Sequence, residues 1–94
     1  MTEKLTEAQI KSLTSAGWTL SDDKNSVTKA YKFNDFTEAF AFMTQAALFA
    51  EKWDHHPDWN NVYSNVNVTL TTHDAGGLTE LDLKLASKMD ELAG

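Results

Sequence analysis

The segment from about Phe36 to Asp54 does most to restrict the fold. It reads as one long helix set between an aspartate cap and a proline. Asp35 offers a side-chain oxygen to the first free backbone N–H groups, with Glu38 at the third helical position. Apolar residues recur at helical spacing, but in two stripes. Phe36, Ala39, Phe40, Met43, Ala47 and Ala50 form one; Phe42, Ala46, Phe49 and Trp53 form the other. A helix apolar over so much of its girth is buried on more than one side. In a chain of 94 residues, a subunit interface is a natural place for the second side. Pro57 is expected to stop the helix, because the residue before proline is pushed out of the α region.

Val62–Thr72 has the other periodicity. Val62, Val66, Val68 and Leu70 point one way; Tyr63, Asn65, Asn67, Thr69 and Thr71 point the other. That is a strand with one face on the core. Thr6 with Gln9 makes a capping box ahead of a first helix from about Glu7 to Ala16, striped by Leu5, Ala8, Ile10, Leu13 and Ala16 and ended by Gly17. Trp18–Leu20 and Val27–Phe33 read as strands joined by the polar turn Ser21–Asn25, hence a hairpin. His73–Gly77 is a flexible turn. Thr79 then caps a last helix, about Glu80 to Leu92, striped by Leu81, Leu85, Met89 and Leu92. The order α-β-β-α-β-α, with room for an extra short strand around Asp58–Asn60, predicts an α+β fold. Its antiparallel sheet carries helices on one face.

Residues 1–94 are expected to form a single domain, burying roughly 60–70% of the unfolded surface. The absence of cysteine excludes disulfides and thiolate metal sites and fits a reducing compartment. Met1-Thr2-Glu3-Lys4 begins no signal peptide, and no apolar run approaches the ~18 residues of a membrane span. A soluble cytoplasmic protein without a membrane partner is the expectation. The net charge is −6, with eight lysines and no arginine. Phosphate backbones are held by clustered Lys and Arg; the scattered lysines here argue against direct nucleic-acid binding. Without Arg, bidentate recognition of a phosphorylated substrate is disfavoured too.

The chemistry is concentrated in the histidines. His55 and His56 stand side by side before Pro57, and His73 follows the strand Val62–Thr72. Only imidazole has an unperturbed pKa, ~6.5, that lets it both take and give a proton near neutrality. Adjacent helical residues point ~100° apart, so two imidazoles at a helix end can reach one cavity from different sides. Plainer readings exist. Positive charge is favoured at a helix C-terminus, and His73 could be an exposed loop residue. Asp82 forms the capping pair Thr79-x-x-Asp82, yet a carboxylate can equally accept an imidazole N–H and fix its tautomer. The two roles compete. Glu51 lies one turn before His55 on the same face, within reach of a shared pocket. Three imidazoles can hold zinc, but the usual helical pair is i, i+4. Neighbouring His55 and His56 suit one ion poorly, and no metal is expected. Trp18, Trp53 and Trp59 could stack on a flat heterocycle; Trp53 reads as core, and Trp59, two residues past Pro57, as a pocket wall.

The string Glu51-Lys52-Trp53-Asp54-His55-His56-Pro57-Asp58-Trp59, followed by Tyr63, His73 and Asp82, resembles the pterin-4a-carbinolamine dehydratases. Gly17-Trp18, Phe33-x-Asp35-Phe36 and Gly77-Leu78-Thr79 extend the resemblance over nearly the whole chain. It implies a four-stranded antiparallel sheet with three helices on one face. It implies dehydration of 4a-hydroxytetrahydropterin to quinonoid dihydropterin, with no cofactor and no metal. That step recycles tetrahydropterin after aromatic amino-acid hydroxylation, phenylalanine hydroxylase being the usual partner. The resemblance also implies a homodimer or homotetramer and, in some animal members, binding to a homeodomain transcription factor. On this reading His56 and His73 carry most of the proton transfer, while His55 contributes and helps hold the pterin. Asp82 orients one imidazole. Glu51 accepts hydrogen bonds from the amino-pyrimidinone edge or tunes a histidine. Backbone groups at Thr71, Thr72 and His73 align the ring, and Pro57 with Trp18 or Trp59 walls it. The rival reading is a binding module, a dimerisation cofactor acting through the apolar girth of Phe36–Trp53. Such a module has no need for three histidines.

Overall fold

The structure, a computed structural model, describes residues 3–94. Each helix begins where a side chain satisfies its free N–H groups. Thr6 and Gln9 close a reciprocal capping box ahead of α1 (Glu7–Ser15). Asp35 accepts from the Glu38 N–H at 2.8 Å to open α2 (Phe36–Lys52). Thr79 opens α3 (Glu80–Ala93). The strands are β1 (Thr19–Leu20), β2 (Val27–Lys32), β3 (Asp58–Val62) and β4 (Asn65–Leu70). They form one sheet in the order β1-β2-β4-β3, with all neighbours antiparallel. The architecture is the expected α+β, a four-stranded sheet with three helices.

The short extra strand allowed for around Asp58–Asn60 is present as β3, so the order is α-β-β-α-β-β-α. The long strand, however, is corrected. Val62–Thr72 is not one strand: Val62 ends β3, the chain turns at Tyr63-Ser64, and β4 begins at Asn65. Val62 therefore leaves the core face and is exposed, while Val66, Val68 and Leu70 are buried as their alternation requires. Tyr63 takes a left-handed conformation, φ 53°. The Asn61 amide offsets that strain by donating to the carbonyls of Tyr63 (3.1 Å) and Asn65 (2.9 Å).

The helix α2 ends at Lys52, two residues before the expected Asp54, and it is closed ahead of Pro57 rather than by it. Asp54 adopts φ +50°, its N–H returns to the Glu51 carbonyl, and the His55 N–H reaches back to the Ala50 carbonyl at 3.0 Å. These bonds make a Schellman closure with an aspartate at the position glycine usually fills.

The core lies between the sheet and the helices. Val27 and Tyr31 of β2, with Val66, Val68 and Leu70 of β4, meet Ala39, Phe42, Ala46 and Ala50 of α2 and Leu85, Ala86 and Met89 of α3. The opposite sheet face carries Thr28, Lys32, Asn65 and Asn67 and is exposed. The buried face of α2 draws on both stripes read from the sequence, leaving Phe36, Phe40 and Leu48 exposed.

Candidate active site

The Schellman closure fixes where the first histidine points. By carrying His55 back against the helix end, it buries that residue to 9% exposure. There His55 Nε2 meets Asp82 Oδ1 at 2.6 Å, and Asp82 is 0% exposed. A buried carboxylate is costly unless its lone pairs are used. Asp82 uses both oxygens: Oδ2 accepts from the Thr72 hydroxyl at 2.6 Å and from the Thr79 N–H at 2.9 Å. The two candidate roles of Asp82 are thus held together. One oxygen caps α3 and the other faces His55. The Thr72 hydroxyl gives its proton to Asp82, so at the 2.7 Å contact between the two threonines Thr79 is the donor.

The network also sets the tautomer. A carboxylate only accepts, so Nε2 of His55 carries the proton and Nδ1 of the neutral ring is the acceptor. Among the described residues Nδ1 has no hydrogen-bond partner, while no buried side-chain polar atom there lacks one. Nδ1 is therefore the polar atom through which this buried ring meets solvent.

His56 turns outward. Its Nε2 lies 2.9 Å from Glu51 Oε1, with the side chains 57% and 83% exposed, so this contact steers the ring without locking it. His73 begins a single 3₁₀ turn (His73–Ala75) inside a hoop closed by Thr72 N–H to Gly77 O at 3.0 Å and Gly77 N–H to Thr72 O at 3.3 Å. The His73 side chain is exposed and lines an open cleft of about 400 Å³ with Thr71 and the β1–β2 turn. The structure joins His55, Asp82 and Thr72 by hydrogen bonds, and His56 with Glu51. His73 makes no hydrogen bond to either group; the chain alone places it beside Thr72.

Among the proposed walls, Trp59 is half-buried, packs on the core and pairs with Val68 across the sheet. Pro57 sits half-buried between His56 and β3. Trp18 is corrected. It is buried to 2% in the core, and its indole N–H donates to Asp90 at 3.1 Å. Asp82 and Asp90 are eight residues apart on α3, ~12 Å along its axis. Trp18 serves a different cluster, in which Asp90 Oδ1 also takes the Tyr31 hydroxyl (2.6 Å) and Lys29 Nζ (2.8 Å). Burial, with Asp90 beside it, pushes the Tyr31 phenol well above its usual range. Among the described residues no group of three His, Asp or Glu side chains converges as a metal-ligand set.

Two features were missed from the sequence. Asp54 carries no helix-ending signal as strong as glycine, yet it aims His55. The Asp23–Ser26 turn lies beside His73 across the cleft, a long-range contact that no local spacing reveals.

The family profile described as Pterin 4 alpha carbinolamine dehydratase matches residues 3–92. A protein of Dinoroseobacter shibae, provisionally named a pterin-4-alpha-carbinolamine dehydratase, is 67% identical over 78 residues, covering 83% of this chain and 80% of its own. A protein of Roseobacter denitrificans with the same provisional name is 52% identical over the full length of both chains. Among solved structures, a transcriptional coactivator/pterin dehydratase from Brucella melitensis is 50% identical with a TM-score of 0.89, covering 98% of this chain and 100% of its own. A pterin dehydratase-like protein identified as a RuBisCO assembly factor in the alpha-carboxysome is 26% identical with a TM-score of 0.70, covering 82% of this chain and 92% of its own.

Proposed function

We propose that this chain, which belongs to the pterin 4 alpha carbinolamine dehydratase family, is a hydro-lyase that converts 4a-hydroxytetrahydropterin to quinonoid dihydropterin and water. The observation that carries this reading is the arrangement of the imidazoles. One is buried and held by Asp82 at 2.6 Å, and two solvent-facing ones stand next to it in the chain or on the adjoining hoop. In the reaction the C4a–O bond breaks as the hydroxyl takes a proton and leaves as water. The N5–H bond gives its electron pair to form C4a=N5, and a base takes the proton. One acid and one base suffice, and the atoms balance without any oxidant.

His56 and His73 are accessible and suit those two transfers, each worth ~10²–10⁴-fold. His55, fixed by Asp82, presents Nδ1 as an acceptor for the bound ring and contributes to proton movement. Asp82 is a positioning residue acting through His55. Glu51 steers His56 or accepts from the amino-pyrimidinone edge. Backbone groups at Thr71, Thr72 and His73 align the ring, with Pro57 and Trp59 as walls. No metal or cofactor takes part. The substrate is the 4a-hydroxylated pterin left after aromatic amino-acid hydroxylation, which links the chain to an enzyme such as phenylalanine hydroxylase in the cytoplasm. The test is the decay of freshly generated 4a-hydroxytetrahydropterin, followed by ultraviolet absorbance with chelator present. Acceleration that survives chelation is expected; a folded protein that accelerates nothing would overturn the reading.

Assembly belongs to the same proposal. Phe36 and Phe40 pack with ring centroids 5.5 Å apart on the outer side of α2, and Phe40 and Leu48 are 54% and 68% exposed. This apolar stripe suits a homodimer or homotetramer built on α2. It also favours a second reading, a protein-binding module, in keeping with relatives named as a coactivator and as an assembly factor. No nucleic-acid contact is proposed.

A further inference from the structure

We propose that the β1–β2 turn, through Asp23, Asn25 and Ser26, forms the subsite for a hydroxylated substituent at C6 of the pterin. This inference rests on the dehydratase reading. In the substrate C6 is bonded directly to N5, so the first atom of whatever C6 carries is two bonds from N5 and four from the 4a-hydroxyl oxygen, and a group exchanging protons at N5 stands beside it. The space beside His73 is thus where that substituent falls. The space is the open cleft of about 400 Å³, lined from one side by Thr71, His73 and Gly77 and from the other by Asp23, Asn25 and Ser26.

The turn is built to hold its polar groups still. The Ser21 hydroxyl donates to Asp23 Oδ1 at 2.6 Å, and the Asn25 N–H donates to the same oxygen at 3.0 Å. The Ser26 and Asn25 N–H groups both reach the Ser21 hydroxyl oxygen, at 3.1 and 3.2 Å. The Thr71 hydroxyl donates to the Asn25 carbonyl at 2.6 Å, which clamps the turn to the strand end that carries His73. Gly77 completes the approach: a Cβ there would sit 3.3 Å from Asn25 Oδ1. The hydrogen bonds from Ser21 and Asn25 hold the Asp23 carboxyl below its usual range. Its second oxygen, Oδ2, is bonded by no group among the described residues. A rigid, charged acceptor facing a cleft beside His73 suits a donor hydroxyl. It offers nothing to a methyl group.

The test compares kcat/KM for 4a-hydroxytetrahydropterins bearing a 6-dihydroxypropyl or a 6-methyl group, in wild type, Asp23→Asn and Asp23→Ala. The expected result is a wild-type preference for the dihydroxypropyl substrate that falls about five- to tenfold in Asp23→Ala, mostly through KM, as fits loss of a hydrogen bond to a non-reacting group. Asp23→Asn keeps an acceptor for Ser21 and Asn25 and lowers the preference less. A turn that merely loosened would depress both substrates together and leave their ratio intact. An unchanged ratio in both variants, with both substrates turned over, overturns the subsite alone. Wild type inactive on both substrates overturns the dehydratase reading and the subsite with it.

Discussion

Replacing Asp82 with asparagine separates the two jobs that one carboxylate performs. Oδ2 receives two donors, from Thr72 and Thr79, and Oδ1 receives one, from His55. Asparagine has a single acceptor oxygen, which the two donors claim. Its amide N–H groups then face the N–H of His55, donor against donor. Either the imidazole changes tautomer or a buried bond is lost, at a cost of about 1–3 kcal/mol. For a domain of this size that lowers Tm by roughly 5–20 °C. Nδ1 of His55 becomes a donor after the tautomer change, so the ring offers the pterin the wrong polarity. Because His55 contributes rather than leads, kcat/KM should fall roughly 10–100-fold, below the full range for a lost acid or base. The assay is 4a-hydroxytetrahydropterin decay on folded protein, in a cycle with His55→Ala. If Asp82 acts through His55, Asp82→Asn in the His55→Ala background should cost no more than about two- to threefold further. A full rate in Asp82→Asn, or the same loss in both backgrounds, would refute the reasoning.

Phe40→Glu or Leu48→Glu places charge on the exposed stripe of α2; sedimentation should show a smaller assembly with an unchanged circular dichroism spectrum, and an unaltered mass would remove α2 as the interface. The raised pKa of Tyr31 favours its protonated form in the folded state, so that stabilisation is complete below the unfolded value of 10.0 and is lost as pH climbs from there toward the folded value. Urea titrations should show stability falling above pH 10, more steeply in wild type than in Tyr31→Phe; equal slopes would contradict the assignment. At the left-handed Asp54, Asp54→Val should destabilise by about 1–2 kcal/mol while Asp54→Gly is near neutral, both read from urea midpoints.

The sequence marked its helices well because caps are local: Thr6, Asp35 and Thr79 each act within a few residues of themselves. It hid the β3–β4 hairpin because the turn Tyr63-Ser64 lacks the glycine or asparagine-glycine that usually announces one. The Asn61 amide that supports the turn leaves no trace in hydrophobic alternation. The end of α2 was legible to within two residues, but its cause was not: Pro57 is a strong signal and Asp54 a weak one, yet the Schellman bonds form at Asp54. Trp18 could be a wall or core by composition, and only its bond to Asp90 on a distant helix decides. Spacing along the chain offers Asp82 a choice between cap and imidazole partner. Three-dimensional packing let its two oxygens take one role each, which spacing along a chain cannot express.

The two proton transfers are assigned to His56 and His73, so the decisive measurement is the catalysed rate of 4a-hydroxytetrahydropterin dehydration by His56→Ala and His73→Ala, each checked for native folding. Each should lose on the order of 10²-fold or more in kcat, with wild-type activity unaffected by chelator. If both variants keep their rate to within a few-fold, the proton transfers lie elsewhere and the central claim is wrong.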